Sequence, residues 1–467
     1  MKLVGKIFDP QTLLKRTPPC GEIPTQHDIL VKTIHIAWPS ILESFLVSLV
    51  GVIDTVMVGV LGSYAIAAVG LTTQPKFLGL AIFLSLNIAV SALVAHRKGE
   101  NDRESANKIL VQALIITGIF TVIVSTICVV FANEIIRFSG SSPDTHTYAT
   151  EYFQIIMGCM VFNVISMVIN AAQRGIGNTR IAMRTNLISN LVNICLNYVL
   201  IGGNLGFPKL GVRGAAIATV AGTVVACGMS IYSILHKGYF LSLRETHKIQ
   251  FDKSTLKSIA NIGSSTLAEQ VFMRLGFLFY AIIVAKLGTA AFAAHQVGLN
   301  ILNINFSFGD GISVAAVSLV GQSLGAKRSD LAKIYGSVCQ RIGMIFASGI
   351  AIIVILLGKQ IFALFTSEAD VLVYSIPIMQ MIIVIVFLQI AQVVFSGCLR
   401  GAGDTKFVAL VSFVSIAVFR PLSGWLFCYP LGLGLYGAWI GLIIDQFLRF
   451  IMTWFRFKSG KWTKYEI

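Results

Sequence analysis

Charge is what this sequence has least of. Asp, Glu, Lys and Arg supply 12% of 467 residues, against 55% hydrophobic, and mean hydropathy reaches +0.80. Such a composition excludes an ordinary soluble domain. The first 28 residues hold acids and prolines but no apolar core of a leader, which predicts no cleavable signal peptide. The eight cysteines form no C-x-x-C pair and no metal-ligand spacing; seven lie in or beside apolar runs and read as reduced packing residues. H-E-x-x-H and G-x-S-x-G are both missing, and "SFGD" (307–310) lacks the first glycine of the G-x-G-D pattern of intramembrane aspartyl proteases. No pore-loop sequence favours a channel. The chain is therefore expected not to be an enzyme and to need no cofactor.

What the sequence does have is length of apolar run. Stretches long enough to cross about 30 Å of hydrocarbon recur at 33–61, 68–95, 107–132, 148–172, 180–202, 213–236, 256–286, 293–322, 331–357, 372–398, 406–428 and 436–456. Their length and lack of strict alternation predict helices, not barrel strands. The fold class expected is an all-α polytopic membrane protein of twelve transmembrane helices. The net charge of +15 follows from topology. With residues at span ends counted in the adjoining loop, 26 of the 36 Lys and Arg fall in the N-terminus, the even-numbered loops and the C-terminus. Five fall in the odd loops and five inside spans. That alternation predicts a multi-pass plasma-membrane protein with both termini cytoplasmic, and removes the need for a nucleic-acid partner.

The chain is written twice. "VGVLGSYAIAA" (58–68) and "VAKLGTAAFAA" (284–294) agree at six of eleven positions, at an offset of 226 residues. The same offset pairs Gly99 with Gly325, and "RGIGNT" (174–179) with "RGAGDT" (400–405); near the ends it slips to 223, where "GVRGAAI" (211–217) meets "GLYGAWI" (434–440). This predicts a cytoplasmic segment 1–29, an N-lobe 30–236, a cytoplasmic linker 237–255, a C-lobe 256–457 and a tail 458–467. Six spans is an even number, so the halves form a parallel repeat, which suits alternating access. In the two loop motifs the glycines are expected to end one helix and Asn178 or Asp404 to cap the next.

Two acids stand in the first apolar run. Glu43 and Asp54 are eleven residues apart, three turns along one helix face and about 16 Å in rise. A carboxylate facing lipid would cost about 2.5 to 3.5 kcal/mol, so both should face a bundle interior or a wet cavity. The fifth run adds Asn186, Asn190, Asn193 and Asn197 at i, i+4, i+7 and i+11, an amide stripe able to supply oxygens to a hard cation or hydrogen bonds to an acid, or simply to join helices. At offset 226, Glu43 maps onto Glu269, but Asp54 maps onto Tyr280 and the asparagines onto Ser412, Ile416, Phe419 and Ser423. Paired Glu43 and Glu269 are expected to line a substrate cavity for cationic solutes, with Tyr280 and Gln389. Arg274 and Asp310 form a candidate ion pair; Asp445 and Arg449, at i and i+4, form another. Arg420 has no assignable role, and His96 and His295 read as interfacial.

The motifs "WPSILE" (38–43), "IDTVMVGVLG" (53–62), "AIAAVGL" (65–71), "RGIGNT", "NICLN" (193–197), "GVRGAAIAT" (211–219), "AAFAAHQVG" (290–298), "GISVAAVSLVGQSLGA" (311–326) and "RGAGDT" occur in order. This pattern resembles the MATE (multidrug and toxic compound extrusion) family of efflux transporters, over residues 30 to 456. The resemblance implies two six-helix lobes in a V shape, and antiport of amphipathic organic cations or drugs against inward H+ or Na+; the chain is separately expected to act as a monomer in the bilayer. It assigns cation coupling to Asp54, Asn193, Asn197 and Thr219, with Asp54 a ligand if the ion is Na+ and Asn186 and Asn190 in support. Some members carry Asp where Asn197 stands, which weakens a sodium site here. The tenth run has no acid to join Glu269, so a second-lobe cation site is not expected. A flippase for lipid-linked sugars is the alternative within the broader superfamily; it calls for an Arg-rich cavity, where this sequence has acids.

Overall fold

A computed structural model describes residues 8–14, 18–236, 238–243, 252–364 and 369–465. The described chain is all helical. Eleven helices are long and apolar enough to cross a membrane, and a bent pair makes a twelfth span. We label the spans α1 (Gln26–Gly59), α2 (Ser63–Gly99), α3 (Arg103–Val130), α4 (Pro143–Gly158 and Met160–Gly175), α5 (Thr179–Gly202), α6 (Gly211–Leu235), α7 (Lys253–Ala285), α8 (Thr289–Gly325), α9 (Ser329–Ala363), α10 (Ser375–Gly401), α11 (Thr405–Cys428) and α12 (Gly434–Ser459). The two limbs of α4 meet at Cys159 with a bend of 49°. Several helices run beyond the apolar stretches that predict them, because polar end turns such as Arg103–Asn107 continue the backbone ladder past the hydrocarbon edge. Large apolar side chains face outward, as at Val122 (68% exposed) and Leu356 (69%), where lipid takes the place of water.

The spans divide into two compact units. One comprises Phe45–Gly263, the other Met1–Ser44 with Ser264–Ile467. The first eleven residues of α7 thus belong with the first half, and α1 up to Ser44 with the second. Pro39 lies within α1, where its missing N–H and bulky ring interrupt the helix ladder.

Within each unit, small residues let helices meet backbone to backbone, as expected where no water drives association. A Cβ on Gly175 (α4) would lie 2.6 Å from the Ser91 carbonyl of α2, and one on Gly401 (α10) 2.6 Å from the Val317 carbonyl of α8. Both members of each pair stand 226 residues apart, so the repeat in sequence is also a repeat in contact. Gly177 and Gly403 follow with φ of 86° and 82°, conformations open to glycine. The next residues, Asn178 and Asp404, do occupy N-cap positions, but neither side chain makes the capping hydrogen bond. Asp404 instead accepts from Arg456 Nε of α12 at 2.6 Å. The halves diverge in α11, where Phe413–Phe419 winds as a π-helix; at offset 226 this is the part of α5 that carries Asn190 and Asn193, which is regular α-helix.

Candidate functional site

In the first-half unit, α1 carries a half-buried Asp54 to the buried face of α5. Asn197 Nδ2 donates to Asp54 Oδ1 at 2.8 Å. The neighbouring amide, Asn193, satisfies its surroundings when its nitrogen faces the acid. It then donates to Asp54 Oδ1 at 2.8 Å and Oδ2 at 3.3 Å, while its oxygen accepts from the Thr219 hydroxyl and backbone N–H, both at 3.2 Å. Asn193 and Asn197 are 6% and 1% exposed. Helical spacing alone puts the two amides on one face; the close seating of α6 puts Thr219 beside them. That seating is set by glycine, since a Cβ on Gly222 would lie 2.8 Å from the Ser189 carbonyl of α5, and Ser189 Oγ donates to Gly222 O at 2.8 Å. Four residues from α1, α5 and α6 are thereby brought together. Asn186 and Asn190 lie further along α5, both half-buried.

Two groups were not singled out by the sequence reading. Lys76, the residue after Pro75 in α2, lies in the same unit as Asp54 and within its electrostatic reach. No hydrogen bond or ion pair joins the two among the described residues. Tyr152 of α4, 7% exposed, sets its hydroxyl beside Thr219 and within the field of Asp54. The signal available for Lys76 was its presence as a cation inside an apolar run, an expensive placement that marks function or partnership. Lys76, Asn163, Thr219 and Thr223 supply the polar lining of a cavity of about 240 Å³, with Phe77 and Met157 among its apolar walls.

The acceptors around Asp54 are few. Both amides present nitrogen, not oxygen, to the carboxylate. The described residues contain no cluster of three or more His, Cys, Asp or Glu able to hold a metal ion.

The second-half unit differs from the expectation of a carboxylate-lined cavity. Glu43 is 6% exposed and Glu269 1% exposed. Glu269 Oε1 takes an ion pair from Arg400 Nη2, the arginine of "RGAGDT". A buried carboxylate is retained only where a cation and hydrogen bonds compensate it, so this pairing commits Glu269 to its own unit. Tyr280 is 2% exposed and its hydroxyl donates to Ala438 O at 2.6 Å. Gln389 is 9% exposed and its Oε1 accepts from Asn305 Nδ2 at 2.7 Å. Asp310 accepts from Ser44 Oγ at 3.4 Å, and Arg274 of α7 is half-buried. Arg449 pairs with Asp445 at 2.8 Å, as its spacing predicts. Arg420 also finds its role there: its guanidinium lies 4.6 Å over the Tyr280 ring and 3.8 Å from Asp445. His295 is 1% exposed, between the rings of Tyr280 and Trp439. His96 is likewise buried at 5%. Where the first unit holds Asp54, the second therefore holds a tyrosine covered by an arginine.

This geometry has relatives. The family model described as MatE matches the chain twice, at residues 39–199 and 266–426, once in each half. A protein of Thermotoga maritima, "Probable multidrug resistance protein NorM", is 30% identical over 457 residues, covering 97% of each chain. "Uncharacterized transporter YisQ" of Bacillus subtilis is 25% identical, over 91% of this chain and 94% of its own. Among solved structures, an outward-facing multidrug resistance MATE family transporter of the MOP superfamily superposes with a TM-score of 0.86 at 22% identity, covering 92% of this chain and 96% of its own, which speaks for the fold. With the family model matched in both halves and the Thermotoga relative aligned almost end to end, the chain belongs to the MatE family, the MATE efflux transporters.

Proposed function

We propose that this transporter is an antiporter that exports amphipathic organic cations in exchange for inward H+ or Na+ by alternating access. It acts as a monomer in the plasma membrane with both termini cytoplasmic, through an N-lobe (30–236) and a C-lobe (256–457). The observation that carries the reading is the Asp54 carboxylate of α1, held at 2.8 Å by Asn197 within a polar cluster of an apolar bundle. A carboxylate half-buried among membrane helices is a costly placement that marks a functional group. Asp54 is such a group: it takes the coupling ion in one state and releases it in another, with Asn193, Asn197 and Thr219 fixing its position and Asn186 and Asn190 extending the polar face. Exchange requires that ion and drug shift the conformational equilibrium in opposite directions, so each weakens binding of the other. The names of the relatives support small organic drugs as cargo.

The test is efflux of a fluorescent cationic dye from proteoliposomes under a pH gradient alone and a sodium gradient alone, for wild type and Asp54→Asn. One gradient should drive wild-type efflux, and Asp54→Asn should abolish it. Dye that moves under neither gradient, or equally in the mutant, removes the antiport reading.

A further inference from the structure

Arg341 of α9 stands apart from other arginines of the second-half unit. Arg328, Arg400, Arg420, Arg449 and Arg456 each pair with a buried carboxylate, on Asp330, Glu269, Asp445 or Asp404. Arg341 makes no hydrogen bond or ion pair among the described residues, and its Nη1 is buried without a partner. A guanidinium nitrogen sealed in an apolar bundle without an acceptor is destabilising. Nor does the duplicated scaffold require it, since the residue 226 positions earlier is Ile115. From this unmatched cation and its place on α9 we infer that Arg341 binds the phosphate of an anionic phospholipid. The lipid belongs to the leaflet beside the α9 N-terminus, the cytoplasmic leaflet in the orientation proposed above. The site is separate from the Asp54 cluster and goes beyond the antiport reading.

Depth sets the level of the site. Residues 342–358 carry no charge. The rise from Arg341 to Lys359 is about 27 Å, close to the roughly 30 Å of hydrocarbon in a bilayer. The two cations therefore mark the two ends of the lipid core. Helix side chains lean toward the N-terminus and long cations extend to the interface, so the guanidinium reaches the phosphate layer on the Ser329 side.

Azimuth sets the kind of ligand. Eighteen residues make five full turns, so Arg341 and Lys359 lie on one helix face. Between them that face presents Ile345, Ile352 and Ile355, which are 59%, 56% and 63% exposed. Ser348, on the same face, turns its hydroxyl back onto the Met344 carbonyl at 2.9 Å. The result is an apolar strip for an acyl chain, headed by a cation.

Charge sets the headgroup. The phosphate of phosphatidylcholine is balanced by its own choline, whereas an anionic headgroup leaves its charge free to cancel the arginine. Lys333 Nζ of α9 lies 3.2 Å from where a Cβ on Gly460 would stand, which brings the exposed Lys461 and Lys464 to the same rim. A basic rim beside a membrane span draws anionic lipid.

The experiment uses the purified full-length protein in detergent, titrated with phosphatidylglycerol, phosphatidylcholine or inorganic phosphate at constant ionic strength, and follows thermal unfolding. Phosphatidylglycerol should raise the wild-type Tm saturably, by roughly 2 °C or more beyond phosphatidylcholine, and inorganic phosphate should not. Arg341→Gln should lose most of that difference. Ser337→Glu keeps the arginine but offers it a carboxylate one turn earlier, in the favourable i, i+4 order, and should lose the difference too. Lys359→Gln, at the far end of the same face, should retain it. Equal shifts from the two lipids in wild type overturn the inference. So does a phosphatidylglycerol-specific shift that survives in folded Arg341→Gln or, where that variant does not fold, in Ser337→Glu, and so does its loss in Lys359→Gln. An equal shift from inorganic phosphate makes this a site for soluble anions and overturns the lipid. The readout involves no transported dye, so failure of the antiport reading in proteoliposomes leaves it decisive.

Discussion

Asp54 of α1 and Asn197 of α5, 143 positions apart in the chain, share a 2.8 Å hydrogen bond inside the first-half unit. Removing either partner should have different consequences. Asp54→Asn keeps the shape and a hydrogen-bonding group but cannot exchange a proton, so ion-driven dye transport should fall at least about tenfold with little loss of folded protein. Asn197→Ala keeps the acid and loses a charge-assisted donor, worth about 1.5–3 kcal/mol; transport should be reduced and its ion dependence altered. Parallel transport and size-exclusion assays separate the two, and equal behaviour of both variants would contradict the division of roles.

Glu269 and Arg400 predict a stability effect instead. Breaking a buried pair by removing one member leaves an uncompensated charge, at about 3–5 kcal/mol, whereas removing both is far milder. Glu269→Gln and Arg400→Gln should each lower Tm more than a surface substitution does. The double variant should lose much less than the sum of the singles. Additive losses in that cycle would mean that the two side chains do not act as a pair.

Gly175 and Gly401 occupy equivalent helix crossings, so alanine at either should be damaging. Each added Cβ would sit 2.6 Å from a backbone carbonyl that has no flexible end to move aside. Gly118→Ala serves as the control, since nothing lies within 4 Å of its Cβ position. Yields of monodisperse protein should fall for the first two and hold for the third.

Asp102, between α2 and α3, accepts from the Ser105 N–H at 3.0 Å as the N-cap of α3. Partial burial pushes its carboxyl up, but hydrogen bonds from Ser105 with Arg97 and Lys108 nearby outweigh this and hold it below the ordinary carboxylate value. A depressed folded-state value means stability that is present above the unfolded pKa of about 3.9 and lost as pH falls through the folded one. Asp102→Ala should cost about 0.5–2 kcal/mol at neutral pH. The Tm advantage of wild type over Asp102→Asn should be flat above about pH 5 and shrink on acidification below it; a difference that grows toward low pH would reverse the sign of the effect.

Much of this protein is legible along the chain. Apolar run length sets the twelve spans, because hydrocarbon admits only backbones whose polar groups are satisfied within the helix. The 226-residue offset sets the duplication, and it returns in space as the Gly175–Ser91 and Gly401–Val317 crossings. Asn193 and Asn197 share a face because four residues is close to one helical turn. Partners across helices are another matter, since they depend on the azimuth and depth at which whole helices seat against each other. Only tertiary structure matched Glu269 with Arg400, Asp404 with Arg456 and Arg420 with Asp445. It also divided α1 at Ser44 between two units, and it brought Thr219 of α6 to the amides of α5 beside the acid that the first helix carries. Periodicity fixes which way a residue faces along its own helix; what it meets there is decided by packing between helices that local sequence does not encode.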